Sequence, residues 1–138
     1  MSQPFNKFNC FALDMGNGVH VLGSDTLKFY LTNTAPVATN TVYNTPAEIA
    51  AANGYPSGGA AVTSKTWTQA AGLASLVGTG PVFTAAGGPF GPFRYAVLYN
   101  FTATAKNLIG WYDYGSSITP ADTETFTVTT GASILTDG

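Results

Sequence analysis

Arg94 is the only arginine in the chain, and it stands in GPFRYAVLYN (91–100) among Phe93, Tyr95 and Tyr99. A guanidinium ringed by aromatics can hold a ligand, or it can tie one strand to the next. Other candidates for chemistry are few. His20 is the only histidine, in VHVL, with Asp14 and Asp25 its nearest carboxylates in sequence. An acid–base role needs a carboxylate or a nucleophile beside the imidazole, and the alternation around His20 reads instead as a strand. Asp113, Asp122 and Glu124 lack the spacing of a calcium loop. No G-x-S-x-G, H-E-x-x-H, P-loop or carboxylate cluster occurs. The glycines at 16–18, 58–59 and 87–88 read as turns, since no strand-to-helix context follows them to cradle a phosphate. Cys10 is alone, which excludes an internal disulfide and a cysteine-based metal site and suits a small buried hydrophobe. The sequence therefore predicts no enzyme, no cofactor and no metal.

The aromatic side chains offer a different chemistry. Trp67, Trp111, Tyr99 and Tyr114 can stack on sugar rings. A glycan site also needs several polar side chains to orient its ligand, and only Asn100 and Asp113 stand near these aromatics in sequence. The alternative is packing in a core or against a neighbouring subunit.

Whatever positions these residues is built mainly of strands. The 138 residues suffice for a single β-rich domain, 1–138, with a real core. TLKFYLTN (26–33) alternates Leu27, Phe29 and Leu31 against Thr26, Lys28 and Tyr30, the pattern of a half-buried strand. DTETFTVTT (122–130) and AVTSKTWTQ (61–69) read as further strands, and 78–92 holds one short strand, Val82–Thr84, between turns. One helix is predicted near residues 46–53. Thr45 stands as its N-cap, Pro46 at its first position, Glu48 completes a capping box and Gly54 ends it. The segment 4–15 is ambiguous: Phe5, Phe8 and Phe11 recur every three residues, as in a short helix, while 11–23 could equally be a hairpin turning at Gly16–Gly18, and strand is the preferred reading. The fold expected is an antiparallel β-sandwich or distorted barrel with one short helix.

FRYAVLYN (93–100) and NLIGWYDY (107–114) form the strongest hairpin signal. A register centred between Ala103 and Thr104 sets Arg94 opposite Asp113, Ala96 opposite Trp111 and Leu98 opposite Ile109. It sets Tyr95 opposite Tyr112, Phe93 opposite Tyr114, Val97 opposite Gly110 and Tyr99 opposite Leu108, an aromatic ladder on one face. Arg94 becomes a register pin, because one-face burial constrains strand pairing.

Composition bears on partners. Charged residues make up 9% of the chain, against roughly 25% in an average soluble domain. Such a surface, wetted by Thr, Ser, Asn and Gly, suits a protein buried among neighbours in an assembly. Lys7, Lys28, Lys65, Arg94 and Lys106 are scattered, so no basic stripe invites nucleic acid. No apolar run reaches 18 residues and the N-terminus lacks a signal-peptide pattern, so neither a membrane span nor export by a cleaved signal is expected. The Asn100-Phe101-Thr102 sequon is then a chance match.

Taken as a set, the blocks GSDTLK, TNTAPVATNT, EIAAANGY, GPFRYAVLYN and WYDYGSSIT resemble a family of small structural proteins of tailed bacteriophages and prophages. The similarity spans roughly residues 19–55 and 91–128. It implies a virion component made in the bacterial host cytoplasm. Its partners would be the major capsid protein or other virion proteins, with a homo-oligomer within the particle. Small β-rich phage proteins of this sort often decorate or cement the capsid. The alternative is a tail- or fibre-associated module that recognises host-surface glycan through exposed aromatics. No functional residues carry over from the resemblance.

Overall fold

The structure, a computed structural model, describes residues 4–137. Ten strands and one short helix follow in chain order. They are β1 (Phe5–Lys7), α1 (Cys10–Gly16), β2 (Leu27–Thr32), β3 (Ala60–Ala61), β4 (Thr63–Ala70), β5 (Leu73–Thr79), β6 (Val82–Thr84), β7 (Phe93–Asn100), β8 (Leu108–Ile118), β9 (Thr125–Thr127) and β10 (Leu135–Asp137). A five-stranded sheet runs β1-β8-β7-β2-β3, a three-stranded sheet β10-β5-β4, and β6 pairs with β9, with every pairing antiparallel. The chain is mainly β and sandwich-like, as the alternation and turn signals predict.

One core joins the three sheets. Leu27, Phe29 and Leu31 of β2 meet Ala96 and Leu98 of β7, Ile109 and Tyr112 of β8, Leu76 of β5, Phe83 of β6 and Leu135 of β10. Burying each large apolar side chain contributes about 1.5–3 kcal/mol, so this shared layer holds the sheets together. A smaller cluster of Phe8, Tyr30, Val97, Tyr99 and Leu108 lies apart from it. Tyr30, expected on the polar face of β2, is fully buried, because its ring meets Tyr43 edge-on and its hydroxyl donates to the carbonyl of Pro46 at 2.7 Å. Tyr43 and Pro46, from the segment after β2, thus reach the second face of the sheet.

The helix is not where capping chemistry placed it. Residues 46–53 form no helix. Partners in β2, together with the nearby Asn44, claim their polar groups instead. The Ile49 N–H donates to Leu31 O at 3.0 Å, Thr32 Oγ1 donates to Ala47 O, and the Glu48 N–H donates to Asn44 Oδ1 at 2.7 Å. A two-turn helix has little stability of its own to set against such bonds. The helix lies at Cys10–Gly16, and all of it but Cys10 falls inside 11–23, the stretch read as a hairpin. The spacing of Phe5, Phe8 and Phe11 is not one helix either: Phe5 is in β1, Phe8 between β1 and α1, and Phe11 in α1. Of the strand expected over 122–130, only Thr125–Thr127 pairs regularly.

The β7–β8 register departs from prediction by one residue over most of its length. Tyr99 faces Leu108 as expected, but Leu98 faces Gly110, Val97 faces Trp111, Ala96 faces Tyr112 and Tyr95 faces Asp113. Ile109 is the extra residue of a bulge between the two registers. Beyond Asp113 a second irregularity carries Phe93 opposite Ile118. The shift exchanges the faces of Trp111 and Tyr112: Tyr112 enters the main core and Trp111 packs on the smaller cluster. The predicted aromatic ladder is therefore divided between the two faces. Gly110 explains part of this. A Cβ there would lie 2.4 Å from Asn6 O and from the Phe5 ring, so only glycine lets β1 lie against β8.

Candidate functional site

Arg94 and Asp113 meet despite the shifted register. Arg94 Nε donates to Asp113 Oδ1 at 2.8 Å and Nη2 donates to Oδ2 at 3.2 Å, a bidentate pair reaching diagonally across the strands. The guanidinium also lies 5.4 Å from the Tyr95 ring. Both side chains are about two-fifths exposed, so this is a surface tie. The hydrogen bond from Arg94, aided by the Gly115 N–H, holds the Asp113 carboxyl below the usual carboxylate range.

The other residues singled out from the sequence serve mostly as packing. Tyr95 and Tyr112 are buried, and burial pushes the Tyr112 hydroxyl up to about 12. Trp111 is half-buried with its ring 4.6 Å from Phe8. Tyr99, expected as a surface contact, is 1% exposed, stacks on Tyr43 at 4.7 Å and donates to Gly58 O at 2.8 Å. Tyr114 is half-buried, edge-on to Phe126 at 5.1 Å, with its hydroxyl enclosed. Trp67 is half-buried against the main core.

Two polar clusters went unread in the sequence. The first centres on Glu48. Its Oε1 accepts from the Tyr43 hydroxyl, and its Oε2 accepts from the Tyr55 hydroxyl and, at 2.7 Å, from the Gly58 N–H. Tyr55 Oη in turn accepts from the Leu31 N–H at 3.0 Å. Burial, and then the bond to Glu48, pushes the Tyr43 hydroxyl up to about 12 and moves Tyr55 in the same direction. One carboxylate thus ties residues 43, 55 and 58 together, and Tyr55 links them to β2. The tyrosines at 30, 43, 55 and 99 around one glutamate were the available signal, masked by the helix reading of 46–53.

The second cluster surrounds His20, which is not in a strand but in the loop after α1. Its side chain is fully buried, with the ring stacked 5.7 Å from Phe11. Asn100 fixes its tautomer. Asn100 Oδ1 accepts from the backbone N–H groups of Thr102 and Ala103 at 3.0 and 3.1 Å, so its amide nitrogen faces His20 Nδ1 at 3.0 Å and Asp25 Oδ2 at 2.8 Å. Nδ1 is an acceptor there, and the proton sits on Nε2. Nε2 has no hydrogen-bond partner among the described residues; Asp14 Oδ2 lies 4.0 Å away and accepts from Asn107 Nδ2 at 3.1 Å. Burial lowers the pKa of His20, against the opposing pull of Asp14 and Asp25.

An open cavity of about 540 Å³ lies beside this network, lined by Gly18, Val21, Asp25, Thr102, Ala105 and Asn107 among others. The imidazole does not line it. Nδ1 is taken by Asn100, and Nε2 carries its proton toward a carboxylate, so the ring has no free lone pair for a substrate. The Cys10 thiol is pushed up by burial and by Asp14, opposite to what a nucleophilic thiolate needs. Among the described residues no group of three His, Cys, Asp or Glu side chains is placed to hold a metal ion. Both clusters act as ties between loops and sheet.

Comparison with protein-family models, with curated proteins and with solved structures finds no match.

Proposed function

We propose that this chain is a structural protein of a tailed-phage particle, without catalytic activity, that stabilises the shell from its outer surface through buried contact with capsid subunits. The observation that carries this reading is how the polar chemistry is spent. Arg94, Asp113, Glu48, His20 and Asn100 are engaged inside the chain, while charged side chains are 9% of the sequence. Such a surface loses little side-chain entropy and little charge hydration when a neighbour covers it. The similarity of the GSDTLK, GPFRYAVLYN and WYDYGSSIT blocks to phage structural proteins supports the same reading.

A protein that binds the assembled shell and not free subunits stabilises the shell by mass action. Adding purified chain to shells that lack it should raise their thermal disruption temperature in a saturable way. Shells that neither bind the chain nor gain stability overturn the proposal. A glycan-binding module is the weaker reading, because Tyr99 is closed to solvent, the Tyr114 hydroxyl is enclosed and Trp111 packs on Phe8.

A further inference from the structure

The β4 strand is an outer strand of its sheet, with β5 on one side and, among the described residues, no strand on the other. Its regular part, Thr66–Ala70, carries no charge and no proline, and four of those five residues are exposed. Natural edges are normally blunted by lysine, proline or a bulge. Here those devices stop at the base of the strand: Lys65 and the bulge between Thr63 and Thr66 precede the open stretch.

We propose that this edge pairs with the same edge of a second copy, antiparallel, about a two-fold axis through Thr68. The hydrogen-bond phase of β4 sets the register. Ala71 and Gly72 have φ of 52° and 83°, a two-residue turn closed by Ala70 and Leu73. The closing pair exchanges hydrogen bonds, so the backbone groups of Ala70, Thr68 and Thr66 point to β5, and those of Gln69 and Trp67 point outward. Trp67 and Gln69 flank Thr68 symmetrically. An axis through Thr68 sets Trp67 of one copy against Gln69 of the other, and each such pair exchanges both its N–H···O bonds. Thr66 then faces Ala70 and Lys65 faces Ala71, so no like charges meet. An uncharged edge gives an oppositely charged foreign strand nothing to select, whereas it matches itself without repulsion. The result is a continuous sheet across two copies, with the half-buried Trp67 beside the partner's Gln69.

Thr68 of each copy becomes a non-hydrogen-bonded pair, with Cα atoms about 4.5 Å apart, inside the range a disulfide spans. The test is mild oxidation of Thr68→Cys on the isolated chain, with wild type, which keeps Cys10, and Thr66→Cys as controls. Thr68→Cys should form a covalent dimer at least tenfold faster than either control, and wild type should sediment as a dimer. Gln69→Pro removes an outward N–H and, besides it, the side-chain oxygen that accepts from the exposed Gly72 N–H at 3.1 Å, and should give a monomer with a circular dichroism spectrum like that of wild type and a melting midpoint only slightly lower. A monomeric wild type at its highest soluble concentration overturns the pairing, as does Thr66→Cys cross-linking as fast as Thr68→Cys. Because the isolated chain is tested, either result leaves the virion reading standing on its own observations.

Discussion

Replacing Glu48 with alanine distinguishes a tertiary tie from a local helix cap. In the structure the carboxylate accepts from the Tyr43 hydroxyl, the Tyr55 hydroxyl and the Gly58 N–H. Hydrogen bonds to a charged acceptor contribute about 1.5–3 kcal/mol each. Glu48 and Tyr43 are only half-buried, so water recovers part of the loss, and the expected net cost is about 3 kcal/mol. At about 2.1 cal/mol/K per residue, the unfolding entropy of this chain is about 0.3 kcal/mol/K, so the melting midpoint should fall by ~10 °C. Glu48→Gln keeps the shape and one acceptor oxygen, and should lose about half as much. If the only role of Glu48 were to cap a short helix, alanine would cost ~1 kcal/mol or less. Calorimetry of wild type and both variants decides the point. A fall of less than about 3 °C for Glu48→Ala would mean that the carboxylate does no more than a helix cap.

Three further outcomes follow from the same structure. The lowered pKa of His20 means the folded state binds its proton less readily than the unfolded chain. Its stabilising contribution is therefore present above the unfolded value of about 6.5 and is lost as pH falls through it, by at most ~1.4 kcal/mol per pH unit. Urea denaturation at pH 7 and pH 5 should show this loss, and His20→Asn should flatten it; a slope unchanged in the variant contradicts the assignment. Gly110→Ala should push β1 from β8 and cost about 1–3 kcal/mol, seen as a lower melting midpoint, and an unchanged midpoint would mean β1 does not lie on Gly110. Arg94→Ala should leave the midpoint close to wild type, since its pair with Asp113 is a surface one; a large fall would show that the pair carries the hairpin.

Where local pattern and tertiary demand agreed, the sequence was readable. Leu27, Phe29 and Leu31 alternate because one face of β2 packs on the main core, and Val82–Thr84 stands between turns as a strand. Two of the failures share a cause. The capping signals at Thr45, Pro46 and Glu48 are local and cannot register that Tyr43 and Tyr55 compete for the Glu48 carboxylate. The bulge at Ile109 is equally silent, because only the arrival of Phe5 and Asn6 against Gly110 shows that β8 is bound on its other edge. Arg94 and Asp113 were paired correctly by charge even so, since a long guanidinium side chain reaches across a one-residue slip. His20 was misread for a related reason: apolar neighbours at 19, 21 and 22 imitate a strand, and its partner Asn100 lies 80 residues away.

If this chain works as a contact-making part of a phage shell, it must be present in the particles themselves. Cryo-electron microscopic reconstruction of phage particles produced by cells that encode the chain is the most direct test. Density for this fold is expected in many symmetry-related copies on the outer capsid surface, seated on the shell subunits through uncharged faces. Particles that contain no copy of the chain would contradict it.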